Sequence, residues 1–225
     1  KVFKPCVIND LMKMTEDLTV IHSYLCADGY VVKNPVTQKV KYYRIGLRNT
    51  NNILLNDFKN RFENVFNVTP RLVEGQRCEK GSREIYERLT KNFGSFYSRE
   101  WKMPKISKKL SRAWLRTFFD CEGWVTCKTH QNRHIGLDSV NEKGLNQVIS
   151  ALNFLGIKTM KKYNEKRNIY RIYIFGKENL TTFKEKIDFL HPEKKKKLEA
   201  ALNDYIVYNW KFPSNNKDCK LFINN

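Results

Sequence analysis

Apolar residues recur along this chain in two rhythms, the three-to-four spacing of a helix and the alternate spacing of a strand. Leu18, Ile21, Tyr24 and Leu25 share one helical face, with Thr15 or Asp17 as the cap and Gly29 as the stop. Residues 1–14, containing Pro5, predict an irregular lead-in. Tyr30-Val31-Val32 and the segment Val40 to Arg48 predict a hairpin turning near Asn34-Pro35. In its second strand Tyr43, Ile45 and Leu47 alternate with Tyr42, Arg44 and Arg48, so one face is apolar and the other aromatic and basic. Asn51 then caps a helix carrying Leu54, Phe58, Phe62, Val65 and Phe66. A second hairpin is expected over about Val68 to Leu89, turning at Lys80-Gly81-Ser82, before a helical or irregular stretch to Met103-Pro104.

The series then runs again. An apolar helical run ends at Glu122-Gly123, followed by strand Trp124–Lys128, a polar turn, and strand His134–Asp138. The segment Asn141–Leu155 carries Leu145, Val148, Ile149, Leu152 and Leu155 on one face and stops at Gly156. Strands Ile157–Tyr163 and Ile169–Phe175 enclose Asn164-Glu165-Lys166-Arg167, and a helix near Glu178–Ile187 ends before Pro192. Landmarks repeat in register: Asp28 and Glu122 are 94 positions apart, Gly46 and Gly136 are 90 apart, and Pro104 and Pro192 are 88 apart. Two copies are too few for a solenoid and suit a pseudo-dimer about an approximate twofold axis. A tail, Ala200–Asn225, follows; its Tyr205–Trp210 section is expected to pack on the body.

Composition adds a partner to this picture. The 225 residues hold 42 Lys and Arg against 23 Asp and Glu, a net charge of +19. Self-repulsion of that size implies a polyanion, and nucleic acid fits better than an anionic membrane because no basic amphipathic helix stands out. Six cysteines without a C-x-x-C pair, and four histidines, argue against a zinc site. No secretory signal or membrane-length apolar run is present, so the expectation is a reduced, soluble, intracellular protein, of the cytoplasm or a DNA-containing organelle.

The two most similar stretches are Ile21-His22-Ser23-Tyr24-Leu25-Cys26-Ala27-Asp28-Gly29 and Leu115-Arg116-Thr117-Phe118-Phe119-Asp120-Cys121-Glu122-Gly123. Each ends in a small residue (or Cys), an acid and glycine, then an aromatic and Val. This pair resembles the motifs of the LAGLIDADG homing endonucleases in their single-chain, two-motif form. The first copy departs from the pattern, with His22 and Ser23 where small residues are usual. The resemblance implies an α+β fold of two pseudo-symmetric αββαββα halves, 1–107 and 108–225, the second with the tail. The motif helices would pack along the pseudo-twofold, and the antiparallel sheets would form a saddle over a DNA major groove.

It also implies divalent-metal chemistry, with Mg²⁺ or another divalent cation such as Mn²⁺ as cofactor. Asp28 and Glu122 carry over as metal ligands and catalytic acids, with the carbonyls of Ala27 and Cys121 as added ligands. Cutting a phosphodiester needs a nucleophilic water and charge relief on phosphate, which carboxylate-held cations supply. Asp120 has Cys26 as its counterpart, so it is expected to make a helix-surface or interface hydrogen bond instead. By motif position Arg48 and Asn49 fall near the metals, with Asp138 and Ser139 opposite. Arg48 and Lys128 are the candidate basic helpers, although for each a plain DNA-backbone contact is favoured over catalysis.

DNA contacts are expected on the outward strand faces. In the first half these are Tyr42, Arg44, Arg48, Arg71, Gln76 and Arg77. In the second they are His130, Gln131, Arg133, His134, Lys158, Lys161, Lys162, Lys166 and Arg171. Arg and Gln read base edges, whereas Lys more often holds phosphate. The run Lys194–Lys197 is expected to be solvated or to touch backbone phosphates, although the resemblance implies that lysines near this point sometimes serve the active site. The leading reading is a monomeric, site-specific double-strand endonuclease with a long asymmetric target and four-base 3′ overhangs. The alternatives are an RNA maturase or a non-catalytic nucleic-acid-binding protein of the same fold. A ribosomal or chromatin-type basic protein explains the charge but not the repeated acids. With no splicing-domain sequence at either end, a free-standing or intron-encoded gene is expected.

Overall fold

The computed structural model describes residues 12–35, 37–39, 42–128 and 132–203. His130, Gln131, the lead-in before residue 12 and the Tyr205–Trp210 section lie outside the described residues. The element order is a helix–hairpin–helix–hairpin–helix series, twice. Helix α1 (Glu16–Cys26) leads to strands β1 (Gly29–Lys33) and β2 (Tyr43–Arg48), then helix α2 (Asn52–Phe66). Strands β3 (Arg71–Val73) and β4 (Arg77–Gly81) and helix α3 (Arg83–Phe93) close the first series. Helix α4 (Lys108–Glu122), β5 (Gly123–Cys127), β6 (Arg133–Ser139) and α5 (Glu142–Phe154) open the second. It ends with β7 (Met160–Asn164), β8 (Ile169–Phe175), α6 (Lys177–Lys186) and a further helix, α7 (Pro192–Asn203). The two four-stranded antiparallel sheets have corresponding orders, β1-β2-β4-β3 and β5-β6-β8-β7.

Helix starts follow local chemistry. The side chains of Thr15, Asn51, Ser82, Ser107 and Asn141 each accept a backbone N–H of the first turn. Ser82 therefore opens α3 rather than forming a hairpin turn. The second hairpin is shorter than expected and turns at Glu74-Gly75-Gln76, where Gly75 takes φ +64°. The motif glycines act through space, not through a left-handed φ. A Cβ on Gly29 would lie 2.7 Å from the Tyr24 carbonyl oxygen, and one on Gly123 2.7 Å from that of Phe119. Only glycine lets each strand leave its motif helix so tightly.

The core lies between the sheets' inner faces and the helices. Ile45, Leu47 and Cys78 face α2, and Ile135, Leu137, Ile172 and Ile174 form the matching layer of the second sheet. At the centre α1 packs against α4 through Tyr24, Leu25, Trp114 and Phe118, all essentially buried. The divergent first motif is explained here. Ser23 Oγ donates to the Trp114 carbonyl at 2.7 Å, and Trp114 Nε1 donates to His22 Nδ1 at 3.1 Å. Burial holds His22 down at about 3, so it is a neutral acceptor that satisfies the indole N–H. Among the described residues no helix is long and apolar enough to cross a membrane.

Candidate metal and nucleic-acid site

Both motif acids stand where their helices meet the first strand of each sheet. Asp28 is two residues past α1, and Glu122 is the last residue of α4. Asp28 is fixed by the last residue of β2 and the residue just after it. Asn49 Nδ2 donates to Asp28 Oδ2 at 2.8 Å, and the Arg48 N–H donates to the Asp28 carbonyl at 3.2 Å. Asn49 Oδ1 meanwhile accepts the Asn51 N–H at 2.8 Å, which sets the amide's orientation.

Glu122 has a different environment. Its carboxyl is pushed up to about 7, first by burial, then by the charge of Asp28, with Asp138 adding and Lys194 opposing. The first acid is thus close enough to act on the second. The two acids come from different halves, and the charge of one contributes to the rise of the other. Among the described residues no cluster of three or more His, Cys, Asp or Glu could hold a metal. The carboxylates of Asp28 and Glu122 and the carbonyls at the helix ends are hard oxygen donors, the kind that magnesium uses alongside water and phosphate.

Lys194 reaches the end of α4 from α7. Its Nζ donates to the carbonyls of Phe119 at 3.1 Å and Cys121 at 3.3 Å, and to that of Asp120. These carbonyls lie at the C-terminal end of α4, where an ammonium suits the negative end of the helix. Burial pulls the Lys194 pKa down, against the pull of the surrounding acids. The helix that carries it, α7, is held at both ends. The Asp120 carboxylate accepts the Leu190 N–H at 3.0 Å and the His191 N–H at 2.9 Å, just before α7 begins. Burial raises this carboxyl to about 6, and those two N–H bonds oppose the rise. At the other end Arg133 Nη1 donates to the carbonyls of Ala200 at 3.3 Å and Ala201 at 2.8 Å.

Strand register sorts the expected DNA contacts. Directly paired residues of an antiparallel sheet share a face. Arg44, Arg48, Arg71 and Arg77 lie on the open face of the first sheet, and Tyr42 is exposed beside Arg44, whose guanidinium stands 4.8 Å from its ring centre. Gln76 is exposed in the turn before β4. In the second sheet His134, Lys162 and Arg171 share the open face with Trp124 and Tyr173. Lys158 and Lys166 are exposed outside the strands.

Three expectations need correction. Arg133 is buried on the helix side, 6 % exposed, and anchors α7, so it cannot face a duplex. Lys161 pairs with the buried Ile172 and so points to the helix side, where its Nζ meets Glu142 Oε1 at 2.6 Å. Lys128 lies past the far end of β5, six positions from Glu122, or roughly 20 Å at the rise of an extended strand. That removes it from the acid pair. The lysine that does reach the pair's helix is Lys194, which lay in a run expected to be solvated. Its only local signal is Pro192, which opens α7 as an N-terminal proline can.

Residues 109–188 match the family model described as a LAGLIDADG-like domain. The chain is 22% identical over 227 residues to the glutamine–fructose-6-phosphate aminotransferase [isomerizing] of Methanocaldococcus jannaschii, covering 93% of this chain and 20% of that protein. It is 25% identical over 168 residues to a DNA polymerase of Thermococcus aggregans, covering 73% of this chain and 9% of that protein. The chain thus spans a fifth or less of these curated relatives. Among solved structures it is similar to I-DmoI in complex with DNA and Ca, with a TM-score of 0.59 at 17% identity, covering 81% of this chain and 98% of that one. The homing endonuclease I-WcaI bound to its DNA recognition sequence has a TM-score of 0.52 at 17% identity, covering 81% and 85%. Residues 109–188 thus match a LAGLIDADG-like domain, and the repeated element order shares the fold of the single-chain homing endonucleases with solved structures.

Proposed function

We propose that this protein is a site-specific double-stranded DNA endonuclease that hydrolyses phosphodiesters with a divalent cation. The observation that carries the reading is that the charge of Asp28 acts on Glu122, one acid from each half, at the ends of two packed helices. Asp28 and Glu122 are the residues that would hold Mg²⁺ or Mn²⁺, with the carbonyls of Ala27 and Cys121 beside them. A bound cation supplies charge relief on the phosphate and a water of lowered pKa. The rest is the work of the chain. Asn49 holds Asp28 in one orientation. Lys194 keeps a positive charge beside Glu122 and favours its ionised form. Arg48, on the open sheet face next to Asn49, is placed to hold a backbone phosphate.

Further support comes from the relatives. I-DmoI, which shares this fold, is described with its target DNA and Mg, Mn or Ca. Similarity over most of the chain to small fractions of an aminotransferase and a DNA polymerase fits a segment inserted into unrelated genes. A cutting enzyme with a long target is a means of spreading such a segment. The two unlike halves would serve as the two subunits of a monomeric pseudo-dimer, on an asymmetric site cut to four-base 3′ overhangs. The net charge of +19 supplies the affinity for phosphate.

The test is cleavage of a duplex library in Mg²⁺, beside DNA binding measured in EDTA, for the wild type and for Asp28→Asn and Glu122→Gln. Cutting is expected only from the wild type, with binding kept by all three. Intron-RNA binding that persists in EDTA, with no DNA cut under any divalent cation, would overturn the nuclease reading in favour of a maturase.

A further inference from the structure

The two open sheet faces are built from different chemistry. On the first, Arg44, Arg48, Arg71 and Arg77 face a single acid, Glu79. Glu79 is engaged by the Tyr30 hydroxyl at 2.7 Å and by Arg77 Nε at 3.1 Å. Arg48 stands 5.4 Å from the Tyr30 ring centre. The second face carries an aromatic cluster at equivalent places. Tyr173 and Phe175 stack at 5.3 Å, and His134 lies 5.1 Å and 5.3 Å from their ring centres. Trp124 meets Tyr173 edge-on at 6.4 Å. Phe175 is 39 % exposed, and Met160, paired with Tyr173 on the same face, is 43 % exposed. The arginine here, Arg171, is neutralised by Asp138, Nη2 to Oδ2 at 2.6 Å, and the His134 ring is kept neutral by burial and by Arg171.

These surfaces suit different groups in a major groove. A guanidinium matches the paired acceptors O6 and N7 of guanine. An aromatic face offers few donors, and the apolar group a major groove presents is the thymine C5 methyl. Lys162, Lys158 and Lys166 around the second sheet keep a polyanion, rather than another protein, as its fitting partner.

We propose that the target is chemically lopsided: the first half reads guanines through arginine pairs, and the second reads thymine methyls through the Tyr173–Phe175–Met160 surface. This rests on the nuclease reading for the presence of DNA but makes a separate demand on its sequence.

The experiment starts by selecting duplexes bound by the whole chain from a random library in Ca²⁺, then resynthesising the best one. In one series guanines are replaced by 7-deazaguanine, which lacks the N7 acceptor. In the other, thymines become deoxyuridine, which lacks the methyl. Each replaced guanine in one half-site is expected to weaken binding at least about fivefold. Each lost methyl in the opposite half-site is expected to cost about fourfold. Arg44→Ala should erase only the first sensitivity. Phe175→Ala, or Met160→Ala on the same exposed patch, should erase only the second.

Equal sensitivities in both half-sites, no loss with deoxyuridine, or a deoxyuridine effect that survives both second-face variants overturns the proposal. So does self-association through the aromatic face, seen as a dimer that Phe175→Ala dissolves. A library with no enriched duplex overturns the nuclease reading as well. Enrichment with the expected sensitivities but no cleavage in Mg²⁺ overturns that reading alone and supports the lopsided readout.

Discussion

Asp28 and Glu122 occupy equivalent places in two series of elements, yet each is supported by different means. Asp28 is held by an amide just past the adjacent strand, that of Asn49. The residue at that place in the second half is Ser139, whose hydroxyl accepts the Asn141 N–H at 3.1 Å. That position offers Glu122 a hydroxyl and no side-chain amide, and its helix end is covered by Lys194 from α7. The repeat fixes where an acid stands. What surrounds it decides how readily the acid ionises. One acid is oriented by a neutral donor, and the other is buried beside a like charge and eased by a cation.

The strongest break of this comparison is to remove each acid in turn. Asp28→Asn and Glu122→Gln are each expected to lower cleavage by more than about a hundredfold, since even the outer partners of metal ligands are worth about 10–100-fold. Single-turnover cutting of a target duplex checks this, and a half-active variant would mean that one acid suffices. Asn49→Ala against Ser139→Ala comes next. The first is expected to lose about 10–100-fold in activity or metal affinity, and the second to stay near wild type. Equal losses would show that the two acids are supported alike.

Ionisation gives the next contrast. With the Glu122 carboxyl at about 7, binding a cation must displace a proton below that pH. Metal affinity is then expected to rise about tenfold per pH unit up to about pH 7 and to level off above it. Calorimetry in buffers of different ionisation heat reads the released proton, and Glu122→Gln should show none. Stability runs the other way. A Glu whose folded pKa is raised from 4.5 to about 7 binds its proton more tightly when folded. Its contribution is present at low pH and declines as pH rises from about 4.5 through 7. Asp120, raised from 3.8 to about 6, adds a decline of the same sign at lower pH. Denaturant unfolding across this range should show the slope reduced in Glu122→Gln. The smallest expected effect is that of Lys194→Met, which removes a cation that favours ionised Glu122 and should move the midpoint of the metal-binding pH profile upward.

Much of the fold could be read from the chain because its signals are local. The caps Thr15, Asn51 and Asn141 and the 94-position spacing of Asp28 and Glu122 needed no knowledge of packing. Where several local signals coincide, the reading slipped. Lys80-Gly81-Ser82 has the composition of a turn, but Ser82 spends its hydroxyl as a helix cap. Alternation alone forbids Lys161 and Lys162 from sharing a face, and likewise Arg133 and His134, although all four are basic or aromatic enough for DNA. Helix α7 was missed because four consecutive lysines, Lys194 to Lys197, blur the apolar stripe that marks a helix.

The sequence by itself determined the repeat, the two acids, the glycines beside them and the charge that calls for a polyanion. Those properties belong to spacing and composition. Only the tertiary structure decided that Asn49 serves Asp28 and that Lys194 caps the other motif helix. It alone decided that Asp120 and Arg133 hold α7 in place, and that one sheet face is arginine-rich and the other aromatic. Each of these depends on residues far apart in the chain meeting at hydrogen-bond distance, or on which side of a strand a residue falls. Contacts of that kind have no local signature, because the free energy that selects them comes from the packing of whole elements and not from the residues alone.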